Sequence, residues 1–290
     1  MPNAFQPTDC LKDYYRTWIA VYKEGAIREV TLAKYRMSLA WVERLAPSLR
    51  LCELTRVAYQ QLLNAYAIEH ERQTTMDFHH QLKGAVLDAV DDGLIPRDPT
   101  RKVIIKGKLP AEKKRKYLNQ FELHALLRSL KLGERADWDW FILLVAKTGL
   151  RFSEALALTP ADFDFTKGTV TINKSYQRLH GEDVITSPKT PKSKRTVKMP
   201  QFLCEEMQEY IRTLYDVGDN DRIFTITKSY LHHEMDRGAK AAGVKRIRIH
   251  DLRHSAISLL IEMGFSALAI ADRVGHESID ITYRYAHLFP

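Results

Sequence analysis

Residues 97–116 cut this chain in two. Nine cations fall there (Arg97, Arg101, Lys102, Lys106, Lys108, Lys113, Lys114, Arg115 and Lys116) against only Asp98 and Glu112, and Pro96, Pro99, Gly107 and Pro110 punctuate the stretch. Proline removes a backbone donor and clashes with the preceding turn, so a helix does not run through such a segment. It reads as an extended linker between two bodies, which suits a chain of 290 residues at roughly 150 residues per domain. The stretch carries +7 of the chain's net charge of +8. An extended basic segment is either a solvated connector or a strap along a phosphate backbone, where each neutralised phosphate releases counterions. The charge density favours the strap.

Several classes are excluded at once. A hydrophobic content of 45% fills ordinary cores and rules out disorder, collagen-like repeats and low complexity. The longest apolar run, Trp140 to Ala146, is far short of the roughly 18 residues that would span a bilayer. The first thirty residues hold no signal-length apolar stretch and carry Asp9, Asp13 and Glu24. Cys10, Cys52 and Cys204 are widely spaced with no CxxC pair, so neither a disulfide framework nor a zinc knuckle is encoded. The expectation is an intracellular, cytoplasmic protein with reduced thiols.

Before the linker, apolar residues recur at helical steps. Leu11, Tyr14, Tyr15, Trp18, Ile19 and Tyr22 form one stripe, stopped at Gly25. Thr31 precedes a second with Leu32, Tyr35, Leu39, Val42 and Leu45, and Thr55 caps a third with Leu62, Leu63, Tyr66 and Ile68. A fourth runs from about Thr75 to Gly93. Residues 1–96 are therefore expected to be a small all-α domain. After the linker, Asn119 with Glu122 makes a capping box for a helix through Leu130, and 138–147 is a strongly apolar helix ended by Thr148-Gly149. Alternation over 169–172, 183–186 and 195–199 predicts a three-stranded antiparallel sheet, and helices follow from Phe202. Residues 117–290 thus form a mostly helical α+β domain.

Four polar clusters could carry chemistry. In Thr148-Gly149-Leu150-Arg151-Phe152-Ser153-Glu154 an Arg and a Glu three apart would face each other on a helix. Ser187-Pro188-Lys189-Thr190, with Lys192, Lys194 and Arg195, sits at a hairpin, where a solvated loop is the plain reading. In His250-Asp251-Leu252-Arg253-His254, Asp251 suits a helix cap, which would put His250 and Arg253 at an N-terminus that favours phosphate. The four-residue spacing of His250 and His254 also allows zinc ligation, but the glutamate of a zinc protease is missing and Arg253 would repel the metal. Gly275-His276 precedes Tyr283 and Tyr285. Together these residues suit displacement at a phosphodiester. Two arginines and one or two imidazoles neutralise the charge on the non-bridging oxygens, a tyrosine attacks, and a lysine protonates the leaving oxygen.

The order Arg, Lys, His-x-x-Arg, Gly-His, Tyr resembles that of the tyrosine recombinase (phage integrase) family, most closely the integrases of prophages and conjugative transposons. Residues 148–154 resemble its first-arginine box, 250–254 the second, and Gly275-His276 with Tyr285-Ala286-His287-Leu288 the nucleophile box. The resemblance implies a core-DNA-binding domain at 1–96 and a catalytic domain at 117–290. Arg151 and Arg253 would clamp the scissile phosphate, with Glu154 orienting Arg151. His250 would act at the phosphate and accept the proton, and His276 would donate a hydrogen bond. Tyr285 would attack, leaving a 3′-phosphotyrosyl link and a free 5′-hydroxyl. Lys174 and Lys189 both qualify by position as the family's lysine, and Ser-Pro-Lys-Thr favours Lys189. Tyr283 and Tyr285 lie on opposite faces of a helix, and spacing from His276 favours Tyr285.

The implied function is site-specific recombination that integrates or excises a mobile element through a Holliday junction, with no metal and no cofactor. The implied partners are double-stranded DNA at attachment or core sites, further copies in a tetramer, and an excisionase or host DNA-bending protein, with no membrane and with residence on the nucleoid when DNA-bound. Relatives often carry an N-terminal arm-binding domain and a longer C-terminal tail, so the expectation is a simpler recombinase or a trimmed chain. Two alternatives stay open: a relaxing topoisomerase or resolvase with the same chemistry, and a catalytically inactive DNA-binding relative.

Overall fold

The computed structural model describes residues 5–109, 117–133, 137–179, 181–188, 190–283 and 285. The chain divides into two compact units, Met1–Lys113 and Lys114–Pro290. The first is built on four helices, α1 (Leu11–Tyr22), α2 (Glu29–Leu45), α3 (Arg56–Ala67) and α4 (Arg72–Asp91). Their apolar stripes meet in one core that includes Tyr15, Trp18, Val42, Tyr59, Phe78 and Leu82. Thr55 caps α3, its hydroxyl accepting from Ala58 N at 3.2 Å. Helix α2 starts two residues before Thr31 and α4 three before Thr75. The Thr75 hydroxyl donates back to the Glu71 carbonyl instead of capping.

The described part of the basic stretch is extended, and it is tied down on this unit. Gln60 grips the backbone of Ile104 through both side-chain amide atoms, at 2.8 and 2.9 Å, and Lys108 N donates to His70 O at 2.8 Å. Val103 and Ile105 pack against the helical core. Gly107 passes so close to α4 that a Cβ would lie 2.2 Å from Arg72 N, so no other residue fits without moving the chain. Arg97, Arg101, Lys102, Lys106 and Lys108 are all exposed, and none forms an ion pair with a described carboxylate. Lys113, Lys114, Arg115 and Lys116 lie outside the described residues.

The second unit is organised around α6 (Trp138–Thr148), whose residues Trp140 to Ala146 are all buried. A helix that is apolar on every side must be surrounded. Packed about it are α5 (Gln120–Arg128), α7 (Phe152–Ala155), α8 (Gln201–Thr213), α9 (Lys228–Ala242) and α10 (Asp251–Glu262), and α11 (Ala267–Val274) and α12 (Ile279–Tyr283) follow. The Asn119–Glu122 capping box is present, each side chain accepting from the other residue's backbone N–H at 2.9 Å.

The sheet differs from expectation in its strands. It joins β1 (Phe163–Asp164), β2 (Thr169–Ile172) and β5 (Arg195–Lys198), all antiparallel, with Val170 opposite Val197. Residues 183–186, expected as a strand of this sheet, instead form β4 (Glu182–Thr186), which pairs with β3 (Ser175–Leu179) in a separate hairpin. Burial explains the exchange. Val170, Ile172 and Val197 reach the core, whereas no residue of β4 is buried and Ile185 is exposed. The hairpin has nothing to bury in the sheet and leaves β5 to pair with β2.

Candidate active site

The predicted residues sit at the ends of elements around α6. Helix α6 ends at Thr148, and the carbonyl of Gly149 accepts a hydrogen bond from Arg253 Nη1 of α10 at 2.7 Å. Arg151 stands immediately before α7 and is half-buried. Its Nη1 meets Glu154 Oε1 at 2.7 Å and its Nη2 meets the Gly275 carbonyl at 2.8 Å. Both arginines of the two boxes are therefore fixed by the protein before any ligand arrives.

Glu154 is the hub, and beside Arg151 it holds a second guanidinium, that of Arg195. The buried Arg195, first residue of β5, donates through Nη2 to Glu154 Oε2 at 2.8 Å and through Nη1 to Oε1 at 3.2 Å. Its Nε also donates to the Arg273 carbonyl at 2.9 Å. Gly275, in the left-handed region at φ 69°, lies close against this side chain, and a Cβ there would come within 2.9 Å of Arg195 Nη1. The glycine of Gly275-His276 is thus required by both its backbone conformation and its neighbour. Burial pushes the Glu154 carboxyl up, but the bonds and charge of Arg195, with Arg151, outweigh it and hold the group below the usual carboxylate range. Burial and then the charge of Arg151 bring Arg253 down to about 9.

The imidazoles are arranged differently from one another. His276 is buried, Nδ1 lies 2.7 Å from Thr282 Oγ1, and burial followed by Arg253 and Arg151 lowers it to about 4, so it is neutral at pH 7. His250 is exposed at the N-cap position of α10, with helical φ and ψ. Partial desolvation of its ring, and then the nearby arginines, lower its pKa, against an opposing effect of Asp251. Asp251, expected as the helix cap, is not the cap. Its buried carboxylate turns back to Arg248, accepting from the backbone N at 3.0 Å and from Nε at 3.1 Å. A carboxylate already paired with a cation in the preceding turn does not bend forward to cap.

Tyr285 is half-buried, its hydroxyl bonded to Nδ1 of His254 and its ring set against Ile257, Ile261, Ile270 and Val274. Tyr283, two residues earlier on α12, is 52% exposed. Lys189 lies outside the described residues, as do Ala286, His287 and Leu288. Lys174 is occupied: its ammonium lies 2.8 Å from Asp162 Oδ2 and 3.0 Å from Thr159 Oγ1, and Asp162 is buried.

Two residues of the site escaped the sequence reading. Arg195 looked like a loop cation because its partner is 41 residues upstream, and no local pattern names such a partner. His254 was weighed only as a metal ligand, although its position four residues after His250 places both rings on one helix face. Among the described residues no three His, Cys, Asp or Glu side chains gather so as to hold a metal ion, and no helix is long and apolar enough to cross a membrane. Chemically, Arg151, Arg195 and Arg253 surround the single carboxylate of Glu154, an arrangement that attracts an anion.

The sequence model described as the phage integrase family matches residues 116–290. The chain is 29% identical to the ICEBs1 integrase of Bacillus subtilis (strain 168) over 217 residues, which is 70% of this chain and 58% of that one. It is 23% identical to the putative prophage phiRv2 integrase of Mycobacterium tuberculosis over 95% of this chain and 73% of the relative. Among solved structures it shares its fold with the Tn1549 transposon integrase in complex with a circular intermediate DNA, at a TM-score of 0.79 and 19% identity over 95% of this chain and 94% of the other. It likewise resembles a lambda integrase bound to a COC′ core site, at 0.71 and 15% identity over 98% of this chain and 81% of that one. With the ordered boxes, this fold and a family match over more than half its length, the chain belongs to the phage integrase (tyrosine recombinase) family.

Proposed function

We propose that this protein is a site-specific DNA recombinase that cuts and rejoins strands through a 3′-phosphotyrosyl intermediate, integrating or excising a mobile element. What carries the reading is the surplus of fixed guanidinium charge around Glu154 within reach of a tyrosine. The scissile phosphate supplies the missing anion. Arg151 and Arg253 clamp its non-bridging oxygens, and charge stabilisation of this kind is worth roughly 10²–10³ in rate per donor. Glu154 orients Arg151, His250 acts at the phosphate from the start of α10, and neutral His276 donates a further hydrogen bond. Tyr285 attacks phosphorus, and the 5′-oxygen leaves with a proton from Lys189. Lys174 is the poorer donor because its ammonium is held by Asp162 and Thr159. The energy of the broken bond is kept in the tyrosyl ester, so rejoining needs no cofactor.

DNA-bound relatives support duplex DNA as the partner, and a lambda integrase tetramer on a Holliday junction supports action as a tetramer. The exposed cations Arg97, Arg101, Lys102, Lys106 and Lys108 would follow the phosphate backbone, together with Lys113, Lys114, Arg115 and Lys116. The test is a nicked suicide duplex bearing the junction sequence of the element that encodes the protein, incubated in EDTA. An SDS-resistant, protease-sensitive adduct is expected. A clear gel shift without any adduct would contradict the reading, and relaxation of supercoiled plasmid at arbitrary sites would turn it towards a topoisomerase. Lys189→Ala should slow cleavage far more than Lys174→Ala, and a 5′-bridging sulfur, which leaves without a proton, should rescue Lys189→Ala alone.

A further inference from the structure

The family resemblance hands the tyrosine's proton to His250, but among the described residues the Tyr285 hydroxyl is bonded to a different imidazole. That hydroxyl meets Nδ1 of His254, one turn further along α10, with ring centroids 5.6 Å apart and planes at 41°. Both groups are half-buried, and the apolar patch of Ile257, Ile261, Ile270 and Val274 under the Tyr285 ring holds the phenol in that position. The phenol also lies near enough to Arg253 to act on its charge. The nucleophile therefore touches an imidazole while standing beside the guanidinium that would hold its target. His250 stands edge-on to His254, 5.7 Å between centroids, at the helix start where a phosphate would lie.

We propose that His254 is a catalytic residue of this site, taking the proton of Tyr285 as it attacks and returning it on rejoining. The proposal rests on the recombinase reading above. In the forward step the imidazole carries its own proton on Nε2 and offers the Nδ1 lone pair. The phenolic O–H bond breaks, its proton passes to Nδ1, and the phenolic oxygen forms the new bond to phosphorus. The bond from phosphorus to the 5′-oxygen breaks, and that oxygen takes a proton from Lys189. On rejoining, the 5′-hydroxyl attacks phosphorus and gives its proton back to the neutral Lys189 amine, the tyrosyl ester bond breaks, and the imidazolium protonates the departing phenolate. A base must be neutral beforehand, and burial followed by the charge of His250 lowers the pKa of His254 accordingly. The groups facing it are His250, Asp251 and Arg253 on its own helix, Arg248 before it, His276 after α11 and Tyr285 itself.

The test measures single-turnover adduct formation against pH on the nicked duplex. It uses the wild type, Tyr285→Phe and His254→Gln, and repeats the wild type and His254→Gln with a fluorinated tyrosine of lower pKa at position 285. Gel shifts and thermal melts are run alongside. His254→Gln is expected to fold and bind DNA normally and to form adduct about 10²–10⁴-fold more slowly at neutral pH. The fluorinated tyrosine should recover most of that loss, because a more acidic phenol depends less on a base. Cleavage by His254→Gln at the wild-type rate overturns the proposal, and so does a loss that the fluorinated tyrosine does not relieve, since that marks a merely structural role. Should His254→Gln fail to fold, the wild-type profile decides: with His254 as base the acid limb stays in place when the tyrosine is fluorinated, and without it the limb moves with the phenol. No adduct from the wild type overturns the recombinase reading itself. A wild-type adduct that Tyr285→Phe abolishes and His254→Gln preserves overturns only the role of His254.

Discussion

Glu154 and Asp139 are buried carboxylates of the same unit with opposite surroundings. Glu154 is outnumbered, with Arg195 and Arg151 bonded to it and Arg253 close by. Asp139 shares one guanidinium, that of Arg237, with a second buried carboxylate, Glu234. The acid-rich cluster can relieve its surplus by taking up a proton just below neutrality: burial and then Glu234 push Asp139 up to about 6, despite the Lys131 backbone N–H at 2.6 Å. The cation-rich cluster cannot do the same, because arginine gives up its proton too reluctantly. A surplus of guanidinium that the protein itself does not neutralise leaves room for an outside anion. On that difference rests the proposal that the Glu154 cluster takes a phosphate while the Asp139 cluster serves the fold.

The comparison can be broken at its hub. Glu154→Gln leaves Arg195 buried without a counter-charge, which should cost roughly 3–5 kcal/mol of stability, measured by urea unfolding, and should release Arg151 as well. Unfolding indistinguishable from the wild type would mean the carboxylate does not organise the cluster. Next, Arg253→Ala should lower single-turnover cleavage by about 10²–10³-fold with the gel shift kept, and near-normal cleavage would remove the phosphate from the argument.

The acid-rich cluster predicts a pH effect of the opposite kind. A carboxyl raised from 3.8 to about 6 binds more protons folded than unfolded, so its contribution to stability is lost as pH rises through that window. Relative to wild type, Asp139→Asn should therefore gain stability between about pH 4 and pH 6, by roughly 2–3 kcal/mol, read from paired melts. A constant difference across the window would refute the proton-holding cluster. The smallest effect is a direct titration of the surplus. Inorganic phosphate at tenfold excess over its dissociation constant should stabilise the wild type by about 1.4 kcal/mol, and Arg253→Ala by less.

Much of this architecture was readable before any coordinates. The stripes of α1 to α4, the Thr55 cap, the Asn119–Glu122 box and the apolar α6 are local patterns, and local patterns are what a sequence displays. The boxes carrying Arg151, Arg253, His276 and Tyr285 were picked out by their order along the chain and its resemblance to a known family, since none of them is decisive as a local pattern. What failed was pairing across distance. Alternation marked 183–186 as a strand without naming its neighbour, and Ser175–Leu179, with intermediate burial on nearly every residue, gave no alternating signal at all. Arg195 was hidden because a buried ion pair between β5 and α7 looks, in sequence, like one more basic residue in a basic loop. Asp251 misled because an acid at a helix start has two uses, and Arg248 in the preceding turn decided between them.

The central claim is that the cation-rich cluster holds a DNA phosphate for attack by Tyr285. Its most direct test is to trap the adduct on the suicide duplex in EDTA, trim the DNA with nuclease, and locate the residual nucleotide by peptide mass spectrometry. The account predicts the phosphate linkage on Tyr285, absent from Tyr285→Phe. A linkage on Tyr283 or on any serine, or an adduct that survives in Tyr285→Phe, would contradict it.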